Sequence, residues 1–236
     1  MNAKINKDLI IIPTYNEENN IKILINKIKK NLKFNYDILF IDDNSSDNTR
    51  DIIYKNKNKY TKLIKRKSKL GLGSAHKAGI KYAYKKGYRY LITMDADGTH
   101  NPKYITKMKQ LVKNNDLVIT NRFANKNSLS QWSIHRKFIT TLRQIVVNFF
   151  FNTDLDSSGA FRCYNIKKIK LIDILAAKNN GYSFFTESTL LLVKKNYKIT
   201  QIPINLPKRF SGNSKMKIWD MIFGFYQILK FSITFR

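Results

Sequence analysis

Two carboxylates, Asp95 and Asp97, follow the apolar run Leu91-Ile92-Thr93-Met94 at spacing i and i+2, and Gly98 comes directly after them. On an extended segment alternate side chains share a face, so both carboxylates point the same way. Fully extended, their Cα atoms lie roughly 6.5–7 Å apart, too far for both to reach one small ion; a bend at Gly98 closes that gap. A few hard oxygen ligands with open positions left over suit a divalent cation that also holds phosphate oxygens. Asp-x-Asp is equally a common way to end a strand in a polar turn, so the chemistry rests on what converges with it.

The segments around this pair alternate in period. Asp8 to Pro13 reads as a buried parallel strand, and Asn16 to Leu32 as a helix with Ile21, Leu24, Ile25, Ile28 and Leu32 on one face. Asp37 to Ile41 is a second strand running into the turn Asp42-Asp43-Asn44-Ser45-Ser46-Asp47. A short helix near Thr49 to Tyr54, a strand at Thr61 to Lys65 and a helix from Leu70-Gly71-Leu72-Gly73-Ser74 to about Lys86 follow. Then come the strand Tyr88 to Met94, a helix near Pro102 to Val112 and a strand at Leu117 to Thr120. Strands alternating with helices predict an α/β fold with a mostly parallel central sheet flanked by helices. Ligands bind such sheets at the carboxyl ends of the strands. Thr14 to Glu17, Asp42 to Asn44 and Asp95 to Asp97 all fall there.

The second half differs. Trp132 to Phe151 reads as a helix whose apolar side carries Trp132, Phe138, Ile139, Leu142, Ile145, Val146 and Phe149, while Arg136, Thr140 and Arg143 share a second stripe. Ser158 to Arg162 is a short strand or turn, Phe184 to Lys194 a helix carrying Glu187, and Ile199 to Ile204 an edge strand because it contains Pro203. Lys208 to Lys215 is a basic loop containing Gly212. From Ile218 to Phe235 the chain is rich in aromatic and aliphatic residues, interrupted by Asp220 and Lys230. Its longest uncharged run, Met221 to Leu229, spans about 14 Å as a helix against roughly 30 Å of hydrocarbon. An amphipathic helix lying in a membrane interface fits, as does a helix packed on the domain or a partner. No repeat or linker divides the chain, so one domain is expected over residues 1–236, with 215–236 as its amphipathic end.

The 236 residues include 44 Lys and Arg against 16 Asp and Glu, a formal net charge of +28, and 43% are hydrophobic. That content supports a real core. The charge attracts polyanions such as nucleic acid, anionic lipid headgroups and nucleotide diphosphates, although Lys, Asn and Ile are abundant throughout. The single Cys163 rules out an internal disulfide, and the apolar run Leu9 to Ile12 is too short for a secretory signal; a reducing, cytoplasmic setting is expected. Glycine fingerprints of dinucleotide folds fail, since His76 stands where the last glycine belongs, and no loop ends in Gly-Lys-Ser or Gly-Lys-Thr. A non-catalytic nucleic-acid binder is the alternative from another class, but no zinc-finger or RNP-type signature accompanies the charge.

In order, Pro13-Thr14-Tyr15-Asn16-Glu17, Asp42-Asp43-Asn44-Ser45-Ser46-Asp47, Leu70-Gly71-Leu72-Gly73 and Asp95-Ala96-Asp97 resemble the inverting family-2 glycosyltransferases of the GT-A fold. Asn121-Arg122-Phe123, Ser158-Gly159-Ala160-Phe161-Arg162 and Arg209 with Gly212-Asn213-Ser214-Lys215 narrow the likeness to dolichyl-phosphate (polyprenyl-phosphate) mannosyltransferases, from about Leu9 to Lys215. The resemblance implies that Pro13, Tyr15 and Glu17 border the base and ribose, with Asp42 or its neighbour Asp43 bonding the base. It implies that Asp95 and Asp97 hold Mg²⁺ or Mn²⁺ against the diphosphate. Arg122, Arg136 and Thr140 match positions that hold an acceptor lipid phosphate. Arg209, Ser214 and Lys215 match a loop that closes over donor and acceptor phosphates. The chain departs from the family at Thr99, where a Gln or Ser is frequent, and in carrying no C-terminal membrane spans; the Trp132 and Ile218 helices, or a separate membrane-anchoring subunit, must then supply membrane contact.

The implied reaction moves a hexose, mannose from GDP-mannose, onto a polyprenyl phosphate with inversion, peripheral on the cytoplasmic face of a membrane. UDP-glucose or another donor, or a saccharide acceptor, is the alternative. A lipid phosphate is already anionic and needs positioning by cations more than a base. A sugar hydroxyl needs a carboxylate base, for which Asp156 and Glu187 are the candidates, each with structural capping or pairing as its other reading. Arg122, Arg136 and Arg143 fit the demand for cations, each with a solvated surface charge as its other reading, and for Arg143 the surface charge is the one expected; His100 has a place near the diphosphate as its alternative and is expected to be a bystander. No His–Cys spacing calls for zinc.

Overall fold

The computed structural model describes residues 7–212, 215–216 and 218–235. Asn213 and Ser214 of the basic loop lie outside them. Seven strands form one sheet: β1 (Asp8–Thr14), β2 (Tyr36–Asp42), β3 (Thr61–Lys65), β4 (Tyr90–Thr93), β5 (Leu117–Asn121), β6 (Arg162–Asn165) and β7 (Ile199–Pro203). Eight helices accompany them among the described residues: α1 (Glu18–Asn31), α2 (Thr49–Lys55), α3 (Leu72–Lys86), α4 (Lys103–Leu111), α5 (Ile134–Phe151), α6 (Leu171–Leu175), α7 (Phe184–Lys194) and α8 (Ile218–Phe235). The short α6 and the direction of β6 are the elements that hydrophobic periodicity missed.

The strand order is β3-β2-β1-β4-β6-β5-β7. β6 runs antiparallel to both of its neighbours, and every other pairing is parallel. The carboxyl ends of β1, β2, β4 and β5 therefore share one edge with the amino end of β6. Register sharpens this, with Thr14 opposite Asp42 and Thr93 opposite Arg162. β7 is one of the two edge strands, opposite β3, consistent with Pro203 lacking a ladder donor.

Strand residues are apolar on both sides because both sides are covered. Ile10, Ile12, Ile38, Phe40, Ile92 and Val118 pack beneath Ile21, Leu24, Ile25 and Ile28 of α1 and Ile105 and Met108 of α4. The alternate residues Leu9, Ile11, Leu39, Ile41, Leu91 and Leu117 pack against Ala75, Ile80 and Ala83 of α3 and Phe184, Phe185 and Leu192 of α7. A small separate cluster, Val147, Phe151, Leu190 and Ile228, ties α5 and α8 to α7.

Candidate active site

The turn after β4 is fixed from three sides. Gly98 has φ +85°, and a Cβ there would stand 2.3 Å from the Phe210 ring, so only glycine allows this bend with Phe210 above it. Phe210 in turn donates its N–H to the Asp97 carbonyl at 2.9 Å. Asp97 Oδ1 accepts from the Thr99 amide at 3.0 Å and the Thr99 hydroxyl at 2.6 Å, and Asp97 Oδ2 pairs with Arg209 at 2.9 Å. Thr99 is thus occupied in shaping the turn. Burial pushes the Asp97 carboxyl upward, but the Arg209 charge and the Thr99 hydrogen bonds outweigh it and hold it below the usual carboxylate range.

Asp95 differs. Its amide donates to His100 Nδ1 at 2.9 Å, which puts the imidazole proton on Nε2, 3.8 Å from Asp95 Oδ2. His100 is stacked on Phe161 and lines the cleft; it belongs to the site rather than standing by. The Asp95 carboxylate accepts no hydrogen bond among the described residues, and 34% of its side chain is exposed. Its position deep in the cleft raises its pKa, with His100 opposing and Asp97 adding to the rise. Two hard carboxylates on one turn, one accepting no hydrogen bond from the described residues and one already holding a guanidinium, form a cation-seeking pair.

These groups open into a cleft of about 430 Å³, a size suited to a small ligand. Pro13, Tyr15, Glu17 and Asp43 line one end. Asp43 accepts from the Leu70 and Gly71 amides at 3.1 Å each and pairs with Arg66 at 2.8 Å, holding the glycine loop against the cleft. Asp42 stays wholly buried and does not line the cleft; it ties Thr14 (3.1 Å) to the Ser45 amide (3.0 Å). At the other end stand Arg122, Trp132, Arg136, Thr140 and Arg143. The Ser133 hydroxyl caps α5 by accepting from the Arg136 amide, and the Arg136 guanidinium lies 3.7 Å over Trp132. Arg122 grips Asp156 with Nε at 2.8 Å and Nη2 at 2.6 Å, while its amide donates to the same carboxylate at 2.9 Å. Burial raises the Asp156 carboxyl, but Arg122 more than reverses this. Glu187 caps a loop by accepting the Lys178 and Asn179 amides at 2.8 and 2.9 Å. Both candidate bases are therefore committed to structure.

Residues after β7 cross back over the first strand. Lys215 Nζ contacts the Asn16 carbonyl at 2.8 Å as well as the Tyr15 carbonyl and the Glu17 carboxylate. Arg209 on Asp97 and Lys215 on Tyr15, Asn16 and Glu17 thus bracket the end of the cleft lined by Tyr15 and Glu17.

The profile of glycosyl transferase family 2 matches residues 9–171, more than half of the chain. The chain belongs to glycosyltransferase family 2. An undecaprenyl-phosphate mannosyltransferase of Micrococcus luteus is 30% identical over 211 residues, covering 88% of this chain and 86% of that one. A polyprenol monophosphomannose synthase of Mycolicibacterium smegmatis is 27% identical over 235 residues, covering 98% and 88%. Glucosyl-3-phosphoglycerate synthase of Mycobacterium tuberculosis, solved with Mn²⁺, UDP and glucosyl-3-phosphoglycerate, superposes with TM-score 0.63 at 16% identity, over 98% of this chain and 80% of that one. That likeness shows a shared GT-A-like fold. The expected family, fold class and glycosyltransferase activity hold. For this family-2 enzyme, spacing singled out the carboxylates; it left His100 as a bystander and Trp132 on an apolar helix face, because their places in the cleft depend on tertiary contacts. Arg143 departs from expectation: it is half-buried in the cleft wall, not a solvated charge.

Proposed function

We propose that this enzyme transfers a mannosyl group from GDP-mannose to a polyprenyl phosphate at a membrane surface, with inversion, and that residues 1–236 act as one catalytic domain. The carrying observation is that the acceptor end of the cleft gathers guanidinium groups while Asp156 and Glu187, the available bases, are bound up in structure. A phosphate oxygen attacks the anomeric carbon, the bond to the diphosphate breaks with its electron pair, and no proton has to move. Cations suffice for that chemistry. The names of the two mannosyltransferase relatives support the same substrates.

Asp95 and Asp97 fit a divalent ion by donor chemistry, and two carboxylates would hold it together with diphosphate oxygens. Mg²⁺ or Mn²⁺ bound there supplies neutralisation of the leaving diphosphate. Pro13, Tyr15, Glu17 and Asp43, rather than Asp42, border the nucleotide, and Arg209 and Lys215 close over it. Arg122, Arg136 and Thr140 face the acceptor phosphate.

The membrane reading rests on α5 and α8. No helix among the described residues is long and apolar enough to cross a membrane. On α5, Ile134, Phe138, Leu142, Ile145 and Phe149 face outward, up to 81% exposed; on α8, Trp219, Ile222, Phe223, Tyr226 and Ile233 do so, up to 78%. Arg136, Thr140 and Arg143 of α5 and Asp220 of α8 face the cleft instead. An apolar stripe turned outward fits a lipid surface, and a membrane-anchoring subunit would use the same shelf. The free, buried thiol of Cys163 supports a cytoplasmic-facing setting.

The deciding experiment offers the purified chain GDP-mannose, UDP-glucose and other nucleotide sugars, with Mn²⁺ or Mg²⁺, and either a polyprenyl phosphate or a free saccharide. Mannolipid formed from GDP-mannose is the expected product. Transfer to the saccharide alone, or to no acceptor, overturns the reading.

A further inference from the structure

Behind the acceptor end of the cleft, the guanidinium groups of Arg122, Arg143 and Arg162 share the field of one carboxylate, Asp156, and only Arg122 touches it. Asp156, wholly buried, is taken by Arg122. Arg162 is also wholly buried and spends its donors on the Gly159 carbonyl (2.7 Å), the Phe185 carbonyl (3.1 Å), the Ser157 carbonyl and the Thr189 hydroxyl (2.7 Å). Arg143 donates Nη2 to the Thr186 hydroxyl at 2.7 Å. Its Nε is buried with no partner, and no carboxylate among the described residues lies within ion-pair distance of it. Burial, with the Arg122 charge adding and Asp156 opposing, depresses Arg143 to about 10. Of the two arginines without a carboxylate, Arg143 is the one that lines the cleft, on the stripe of Arg136 and Thr140.

A cation held in a protein wall without a counter-ion is costly unless an anion comes to it. Arg122 cannot be the main source of attraction, because Asp156 cancels its charge. We propose that Arg143, together with Arg136, supplies the uncompensated charge that binds the phosphate of the acceptor; this rests on the reading of a phosphomonoester acceptor given above. Arg122 then acts chiefly by fixing the Asp156 and Ser158 wall, its Nη2 lying 2.5 Å from the Ser158 hydroxyl. A phosphate dianion held between two guanidinium groups on one helix stripe needs no base and keeps its oxygen free to attack.

Equilibrium binding of farnesyl phosphate, farnesol and inorganic phosphate to the full chain, without donor, tests this. Wild-type protein should prefer farnesyl phosphate to farnesol. Arg143→Met should weaken farnesyl phosphate binding on the order of 10- to 100-fold, leave farnesol unchanged, and keep a cooperative unfolding transition. Arg143→Lys should recover part of the loss. Thr186→Val removes the 2.7 Å hydrogen bond but keeps the charge, and should stay within about threefold of wild type. Unchanged affinity in Arg143→Met, or an equal loss in Thr186→Val, overturns the assignment of Arg143. Arg143-dependent binding of inorganic phosphate without binding of farnesyl phosphate instead overturns the lipid-phosphate acceptor and leaves the anion site standing. If neither anion binds wild-type protein, both fall.

Discussion

Asp97 is the residue on which the turn, the Arg209 segment and the proposed cation meet, since one carboxylate binds Thr99 on one oxygen and Arg209 on the other. Replacing it should damage chemistry far more than folding. Asp97→Ala is expected to lower turnover by at least about 100-fold and to move Tm by no more than about 5 °C, read by glycolipid assay and thermal melt. Gly98 carries the opposite balance. Gly98→Ala forces a left-handed φ on alanine and drives Cβ into Phe210, for a cost of about 2–4 kcal/mol. Adding Phe210→Ala should recover the steric part and leave about 1–2 kcal/mol, so a double-mutant cycle by denaturant unfolding separates the terms. The carboxylate pair and its glycine were legible by their spacing after an apolar run, although the strand ends at Thr93 and the turn, not an extended segment, carries both carboxylates into the cleft. Arg143 was not, since a stripe at i, i+4, i+7 says which residues travel together and not whether they face solvent or a cleft.

At the scale of elements the same ambiguity governs α5 and α8. Periodicity located both helices to within two residues and identified their apolar stripes, yet core and membrane make the same pattern. Only the packing of Val147, Phe151 and Ile228 against Leu190 decides which stripe turns outward. Phe138→Asp with Phe149→Asp should therefore leave Tm unchanged or raised while cutting binding to acidic vesicles at least about tenfold, measured by co-sedimentation. Intact binding in that variant sinks the membrane face. The start of β2 carries a pH-dependent tie. Asp37 is buried, which raises its carboxyl, but Lys62 at 2.7 Å, Tyr88 at 2.6 Å and Lys7 bring it net below its ordinary value. A carboxyl depressed in the folded state contributes stability above its unfolded pKa of about 3.9 and loses it as pH falls through the lower folded value. Thermal melts from pH 6 downward should show that acid loss in the wild type and a shallower slope below about pH 4 in Asp37→Asn.

For the whole molecule, the alternating pattern gave the parallel half of the sheet correctly, because consecutive β-α units pack as neighbours. It could not place β6, four residues whose partners lie far off in the sequence (Thr93 is 69 positions before Arg162, and Leu117 is 47 before Tyr164) and whose antiparallel direction leaves no local trace. The net charge of +28 has its consequence at this scale too. Attraction of a basic protein to acidic vesicles should weaken as ionic strength rises from about 0.05 to 0.5 M, whereas a purely apolar attachment should not; a flat salt response would remove the electrostatic part.

The insertion of β6 between β4 and β5 also bears on how the chain is born. Synthesis delivers β4 and β5 one after the other, yet neither can complete its ladder until residues 162–165 emerge, some forty positions after β5. Until then both carry bare hydrogen-bonding margins and greasy flanks, the kind of surface that chaperones shield on a ribosome. The carboxylates of the β4 turn reach their final setting late in translation, when a hairpin-less splice from the far side of the sequence slides home between them and their eventual neighbours.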